Sequence, residues 1–323
     1  MSICIPAYNS EKTIAKTISS LIIQTYKNLE IIIIDNCSTD ETVKIIQEFV
    51  DPRIKIIQND EHLLAAEDNW NRCFQYAKGE FMAIFHADDV YLPNMIFRQI
   101  EMFKKNPTIG CVFTQGNIIN ENDEVIGELK LPPGMERLNS YTYFQLFNSI
   151  LENGDFLLCP SAMIRSDLYK KLSPFRYDQF GSSSDLDMWL RAAKCAPVAI
   201  INEKLMNYRI SKSQGTQVLN SGRTHEAAFF RVMDFHIAQN QKLDEISQKT
   251  MNKYNISRFG DQLLCIRNSF NKRDLKEFKN LIKNVQWIKY AKILMNNPQL
   301  INLKFFKRII VRYSVLQDII RNF

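Results

Sequence analysis

Asp88-Asp89 sets two carboxylates side by side, directly after the apolar run Phe81-Met82-Ala83-Ile84-Phe85 and just ahead of a helix start at Pro93. Adjacent carboxylates repel each other unless a cation sits between them, and a divalent ion with oxygen ligands is the usual answer. Mg²⁺ or Mn²⁺ held by one or two carboxylates completes its shell with substrate phosphates. Taken alone, the dipeptide reads more readily as a solvated acidic loop. Convergence favours the cation: Asp35 ends the run Ile31–Ile34, and Pro6–Asn9 follows Ser2–Ile5, so three polar loops each leave the carboxyl end of an apolar run.

Those loops need a scaffold. Ser2-Ile3-Cys4-Ile5 is a short buried strand stopped by Pro6, and Ile31–Ile34 is too dense in β-branched residues for a helix surface, hence a central parallel strand. Ile54–Ile57 and Phe81–Phe85 supply two more strands. Between them, Ile14, Ile18, Leu21 and Ile22 keep helical spacing, Ser38-Thr39-Asp40 caps a helix carrying Val43, Ile46 and Phe49, and Ala66–Ala77 forms a third helix stopped by Gly79. This alternation predicts a doubly wound α/β sheet, in which ligands bind beyond the carboxyl ends of the strands. Neither GxGxxG nor GxxxxGK[ST] occurs, so a dinucleotide fold of the usual kind and a P-loop are unsupported. Farther on, a helix over Pro93–Lys105, strands at Gly110–Thr114 and Val125–Leu129, a mixed region, a helix over Asp185–Ala193 and two strands at Val198–Ile201 and Leu205–Ile210 are expected. Beyond Gly215 the pattern is helical and Lys-rich, which sets a boundary near 215: one domain over 1–215, a basic helical one over 216–323.

Five ordered motifs carry a resemblance over about residues 1–215: Ile3-Cys4-Ile5-Pro6-Ala7-Tyr8-Asn9; Asp35-Asn36-Cys37-Ser38-Thr39-Asp40; Ala77-Lys78-Gly79-Glu80 leading to His86-Ala87-Asp88-Asp89; Asp185-Leu186-Asp187-Met188-Trp189-Leu190-Arg191; and Tyr208-Arg209. Together they resemble family 2 glycosyltransferases of the GT-A fold, mostly inverting enzymes that use nucleotide-diphosphate sugars and a divalent metal. The resemblance implies a GT-A type, Rossmann-like mixed sheet flanked by helices. It implies that Pro6, Ala7 and Tyr8 bound the nucleotide base, with Tyr8 stacking on it, and that Asp35 accepts the imino N–H of a uracil-type base. Asn69 joins the nucleotide-binding set. Asp88 would touch the ribose or share the metal, and Asp89 would be its principal ligand, with Mn²⁺ or Mg²⁺ bridging the diphosphate.

Asp185 is the implied general base, removing the acceptor hydroxyl proton; one base is enough where the metal assists departure. Its place at a helix start also fits plain charge–dipole stabilisation, and Asp187 is the second candidate. His86 stands where an acidic residue is common and reads as a neighbour of the metal shell more than a ligand. Asp68 replaces a common Arg, Ser184 a frequent Glu, and the His often found two residues after the Tyr-Arg pair is missing, which leaves closure over the diphosphate to Lys212 or Arg209. The implied function is transfer of a hexosyl or N-acetylhexosaminyl group, from a UDP-sugar, to a glycan or lipid-linked acceptor in polysaccharide or cell-surface glycan synthesis. A catalytically impaired nucleotide-sugar-binding or scaffold protein is the alternative. A nucleotidyltransferase would need a Gly-rich basic loop where Pro6–Glu11 stands.

The net charge of +6 over 323 residues conceals an asymmetry, −6 over residues 1–211 and +12 over 212–323. Seven scattered cysteines without CxxC spacing read as reduced thiols, neither disulfide frame nor zinc site. No leader-like segment and no apolar run of spanning length is visible, so a cytoplasmic protein is expected, with peripheral contact at the inner face of the membrane as an option. Phe306, Ile309, Tyr313, Leu316, Ile320 and Phe323 recur at helical spacing among Lys and Arg. Residues 290–323 therefore suit either an anionic membrane or packing on the catalytic domain or a second copy. No nucleic-acid motif accompanies the charge.

Overall fold

The computed structural model describes residues 1–211, 222–240 and 243–297. They form two compact units, one of residues 1–211, 227–240 and 243–245, the other of 222–226 and 246–297.

The first unit holds a ten-stranded sheet. β1 (Ser2–Ala7), β2 (Glu30–Asp35), β3 (Ile54–Gln58) and β4 (Phe81–Ile84) run parallel in the order β3-β2-β1-β4. Ile31, Ile32, Ile33 and Ile34 are all 0% exposed, because both faces of β2 are covered. α1 (Ile14–Ile22), α2 (Thr42–Gln47) and α3 (Ala66–Tyr76) are the crossovers, α1 burying Ile14, Ile18 and Leu21. Ala7 lies opposite Asp35 and Asp35 opposite Gln58. That shared register ends three strands at one edge, so their loops open together.

The second half widens the sheet through β5 (Val90–Tyr91), α4 (Met95–Lys105), β6 (Cys111–Ile119), β7 (Val125–Glu128), β8 (Ser140–Tyr141), α5 (Tyr143–Asn153), β9 (Met163–Arg165), α6 (Ser166–Tyr169), α7 (Tyr177–Phe180), α8 (Ser184–Cys195) and β10 (Val198–Arg209). β9 runs antiparallel between β4 and β6, which makes the sheet mixed. The two strands expected at its end are one. Register shifts between Ile201 and Lys204 and between Lys204 and Met206 let polar Asn202, Glu203 and Lys204 bulge to solvent without breaking β10.

α9 (Ala228–Ala238) packs in this unit, with His236 fully buried. The boundary expected near 215 falls on residues outside those described, as does the stripe from Phe306 to Phe323. The second unit is helical: α10 (Gln248–Asn271), α11 (Leu275–Asn284) and α12 (Trp287–Asn296) enclose Phe259, Ile266, Phe278, Val285 and Tyr290. Arg223 pairs with Asp261, and Arg258 with Glu226 at 2.6 Å. All seven cysteines are free, and no described helix is long and apolar enough to cross a membrane.

Candidate active site

The strand-end loops enclose a cavity of about 770 Å³ lined by Pro6, Ala7, Tyr8, Asn36, His62, Asn69, Trp70, His86, Asp88 and Arg209 among others. The acidic loop after β4 is held from several sides. Thr17 on α1 donates to the main-chain oxygens of Ala87 at 3.0 Å and Asp89 at 2.7 Å, and Thr13 to that of Ala87 at 2.9 Å. The His86 N–H donates to the Tyr91 hydroxyl at 2.7 Å. The main-chain N–H of Arg209, at the end of β10, donates to Asp89 Oδ1 at 2.8 Å.

Asp88 faces the cavity; Asp89 is 0% exposed and absent from its lining. Asp89 Oδ2 is buried with no hydrogen-bond partner among the described residues and stands 3.9 Å from His86 Nδ1. One ligand atom each from His86, Asp88 and Asp89 lie within 4.8 Å of one another. Burial, then the charge of Asp88, pushes the Asp89 carboxyl well above its ordinary range, while burial lowers the His86 imidazole despite the pull of Asp88. A neutral imidazole and two crowded carboxylates, one with an orphaned buried oxygen, suit a divalent cation that accepts nitrogen and oxygen donors. The donor set therefore fits Mn²⁺ or Mg²⁺.

Tyr8 is 48% exposed and its ring meets that of His62 at 4.5 Å. Asp35, expected to accept from the base, is 1% exposed and not among the cavity's lining residues; its Oδ2 accepts the Ser38 N–H at 3.1 Å, and its Oδ1 is buried with no hydrogen-bond partner among the described residues. Successive residues leaving a strand face opposite sides, so the next one, Asn36, reaches the cavity instead. Its amide is engaged as well, exchanging hydrogen bonds of 2.8 Å each way with the Leu63 backbone and accepting from Asn59 at 3.0 Å. Asn59 in turn donates to Asn69, which donates to the Ile34 oxygen at 3.1 Å. These amides brace the loop that carries His62, whose Nδ1 lies 3.0 Å from the Asn36 oxygen.

Arg209 lines the cavity, yet its guanidinium is engaged by the Asp88 oxygen at 2.7 Å, the Asn120 oxygen at 2.8 Å and the Asp123 carboxylate at 2.6 Å. It braces the acidic loop from the cavity wall; Lys212, named with it for closure over a diphosphate, is outside the described residues.

Asp185 opens α8 and accepts the Leu186 N–H at 2.8 Å, outside the cavity lining. Burial raises its carboxyl above the ordinary range. Beside it the sequence reading missed Asp155, which follows Gly154 (φ 81°) at the end of α5. Asp155 is exposed as a residue, but the protein packed around its carboxyl and the charge of Asp185 push it up to about 7. The available signal was a glycine helix stop followed at once by an acid. Asp187, the second candidate base, is 0% exposed, ion-paired to Arg176 at 2.5 Å and Arg191 at 2.9 Å, and hydrogen-bonded with His236 Nε2 at 3.0 Å. It has no free lone pair to offer an acceptor.

The family model "Glycosyl transferase family 2" matches residues 2–173, which include the cavity loops and the acidic motif but not Asp185. The chain is 33% identical over 215 residues to the UDP-Glc:alpha-D-GlcNAc-diphosphoundecaprenol beta-1,3-glucosyltransferase WfgD of Escherichia coli, covering 66% of this chain and 78% of that protein. Its fold resembles that of S. aureus TarS 1-349 in complex with UDP-GlcNAc, with a TM-score of 0.55 at 16% identity over 87% of this chain and 89% of that one. It also resembles the mannosyltransferase PcManGT of Pyrobaculum calidifontis in complex with GDP-Man and Mn2+, with a TM-score of 0.54 at 13% identity over 97% and 79% of the two chains. The mixed GT-A sheet, the motif-bearing loops at its open edge and the match over more than half of the sequence agree: the chain belongs to glycosyl transferase family 2.

Proposed function

We propose that this chain is an inverting, divalent-metal-dependent glycosyltransferase that moves a hexosyl or N-acetylhexosaminyl group from a UDP-sugar to a glycan or lipid-linked acceptor. The observation that carries the reading is the convergence of His86, Asp88 and Asp89 ligand atoms within 4.8 Å, at a cavity of about 770 Å³ that Tyr8 and His62 also line. Asp88, which faces the cavity, would share the cation with Asp89, the expected principal ligand, whose buried Oδ2 is the oxygen left to hold it. When bound, the cation neutralises charge on the departing diphosphate.

Tyr8 supplies a stacking face for the base. His62 points Nδ1 at a carbonyl oxygen, which can only accept, so the neutral ring is protonated there and offers Nε2 as an acceptor for a uracil imino N–H. Asp185 takes the acceptor proton as the hydroxyl oxygen attacks the anomeric carbon opposite the leaving group. Support for a uridine donor and a lipid-linked acceptor comes from the names of similar proteins, the UDP-Glc-dependent WfgD and the UDP-GlcNAc complex of TarS.

Calorimetry of nucleotide-sugars with and without Mn²⁺, on the native chain and on Asp88→Ala, tests the reading. Metal-dependent binding of a UDP-sugar, lost in the variant and accompanied by transfer or slow donor hydrolysis, is expected. Tight binding with neither reaction would leave a nucleotide-sugar-binding protein instead.

A further inference from the structure

The second unit carries charge and apolar surface that the transfer reaction does not use. Residues 222–226 and 246–297 hold twelve Lys and Arg against four Asp and Glu, a net of +8. The acids are largely occupied: Asp261 and Glu226 pair with Arg223 and Arg258, and Asp274 caps α11 by accepting the Glu277 N–H.

α12 is already anchored on its inner side, where Tyr290 is 3% exposed and Ile293 and Leu294 pack on the unit's core. A helix buried on one side needs no apolar residues on the other. Yet Ile288 is 74% exposed and Met295 72%. With Ala291 and Lys292 they stand at i, i+3, i+4 and i+7, one continuous outward stripe. Trp287, 39% exposed, stands beside its amino end and donates its indole N–H to the Ile282 oxygen at 3.0 Å. Lys289 and Lys292 are exposed beside the apolar side chains, and Lys276, Lys279 and Lys283 are exposed on α11 at i, i+3 and i+7.

We propose that the outward face of α12, with its exposed Lys289 and Lys292, docks this protein on an anionic phospholipid surface. Aliphatic side chains sink into the acyl boundary while lysine ammonium groups meet phosphate headgroups, and a tryptophan suits the interface between them. Charge selects this occupant. A second copy would bring the same lysines against themselves. A nucleic acid would use the lysines and leave Ile288 and Met295 stranded in water.

Sedimentation of the full chain with vesicles of phosphatidylcholine, alone or mixed with phosphatidylglycerol, is the test, run without donor or acceptor so that it stands apart from the transferase reading. Binding to the mixed vesicles only, weakened by salt, is expected. Ile288→Glu with Met295→Glu lowers it about tenfold, and Lys289→Gln or Lys292→Gln about fivefold each. Unchanged nucleotide binding and circular dichroism show that these variants are folded. Equal binding to both vesicle types, full binding by the double variant, or light scattering that shows a dimer which the double variant abolishes would each overturn the proposal.

Discussion

The main-chain N–H of Arg209 donates to Asp89 Oδ1 at 2.8 Å, so the end of β10 fixes one oxygen of the buried carboxylate. The other oxygen, Oδ2, is left facing His86. The Arg209 side chain completes the brace by binding the Asp88 carbonyl, the Asn120 carbonyl and Asp123, while Lys16 on α1 also pairs with Asp123. Two strands far apart in sequence thus set the geometry of the acidic loop.

Arg209→Ala should therefore weaken cation binding without removing any ligand. Loss of an outer partner of this kind typically costs about 10–100-fold in metal affinity. The variant should also lose about 3 kcal/mol of stability, since buried acceptors are left without a charged donor. Arg209→Lys keeps the charge but not the fork and should recover only part of both. Calorimetric titration of Mn²⁺ with UDP present, beside thermal unfolding, reads the two effects; unaltered Mn²⁺ affinity in Arg209→Ala would show that the brace does not reach the site.

A general base works only when deprotonated, and burial lifts Asp185 above the ordinary carboxylate range while Asp155 sits at about 7. The acid limb of kcat should then lie above the value of about 4 set by an ordinary Asp, with transfer falling as pH drops through it. Asp185→Asn should reduce kcat by about 10²–10⁴ with donor affinity kept. Because the charge of Asp185 helps to raise Asp155, Asp185 ionises first, and Asp155→Asn, neutral like the protonated acid it replaces, should leave the acid limb in place. A limb that moves to lower pH would show that Asp155 is already charged when Asp185 titrates.

What the sequence disclosed follows from where each residue's partners lie. Asp88-Asp89 was readable because the chemistry is local: two acids, one strand end, one helix start. Which of Asp35 and Asn36 lines the cavity was not legible, since both are polar and only the strand's facing decides it. Asp155 had only the faint local signature of an acid after a glycine helix stop, and His236 had none. Their significance comes from packing against α8, Asp155 from the end of α5 and His236 from α9, whose sequence reads as part of the basic helical tail. The same blindness split β10 in two, because a bulge exposes Asn202, Glu203 and Lys204 without interrupting the ladder.

Asp187 shows what those distant partners contribute to stability. Burial opposes its charge, but His236, Arg176 and Arg191 outweigh it and hold the carboxyl far below the usual range. Because the folded value is depressed, its stabilisation is present above the unfolded value of about 3.9 and is lost as pH falls through and below it. His236 acts in the same direction, since burial lowers its imidazole and the unfolded chain takes up its proton first, below about 6.5. Asp187→Asn should cost roughly 3–5 kcal/mol at neutral pH, by stranding cations in the interior, and should flatten the acid loss of Tm. Thermal unfolding of both proteins between neutral and acid pH checks it; parallel curves would contradict the assignment.

His62 should decide the nucleotide. Its Nδ1 is committed to the Asn36 carbonyl and its ring to Tyr8, so the acceptor left over is Nε2. Uracil presents an imino donor that matches it. Cytosine offers a bare ring nitrogen in that place, setting acceptor against acceptor, and a purine is too large to keep the same stacking and the same hydrogen bond together. His62→Phe keeps the aromatic contact but removes the acceptor. It should weaken UDP binding by about tenfold, the worth of one hydrogen bond of this kind, while CDP binding stays level or improves. His62→Gln, which can present its amide oxygen, should restore part of the preference for UDP. The ratio of UDP to CDP affinity separates base reading from stacking, because loss of stacking lowers both together. A ratio that does not change in His62→Phe would assign uracil recognition to another group.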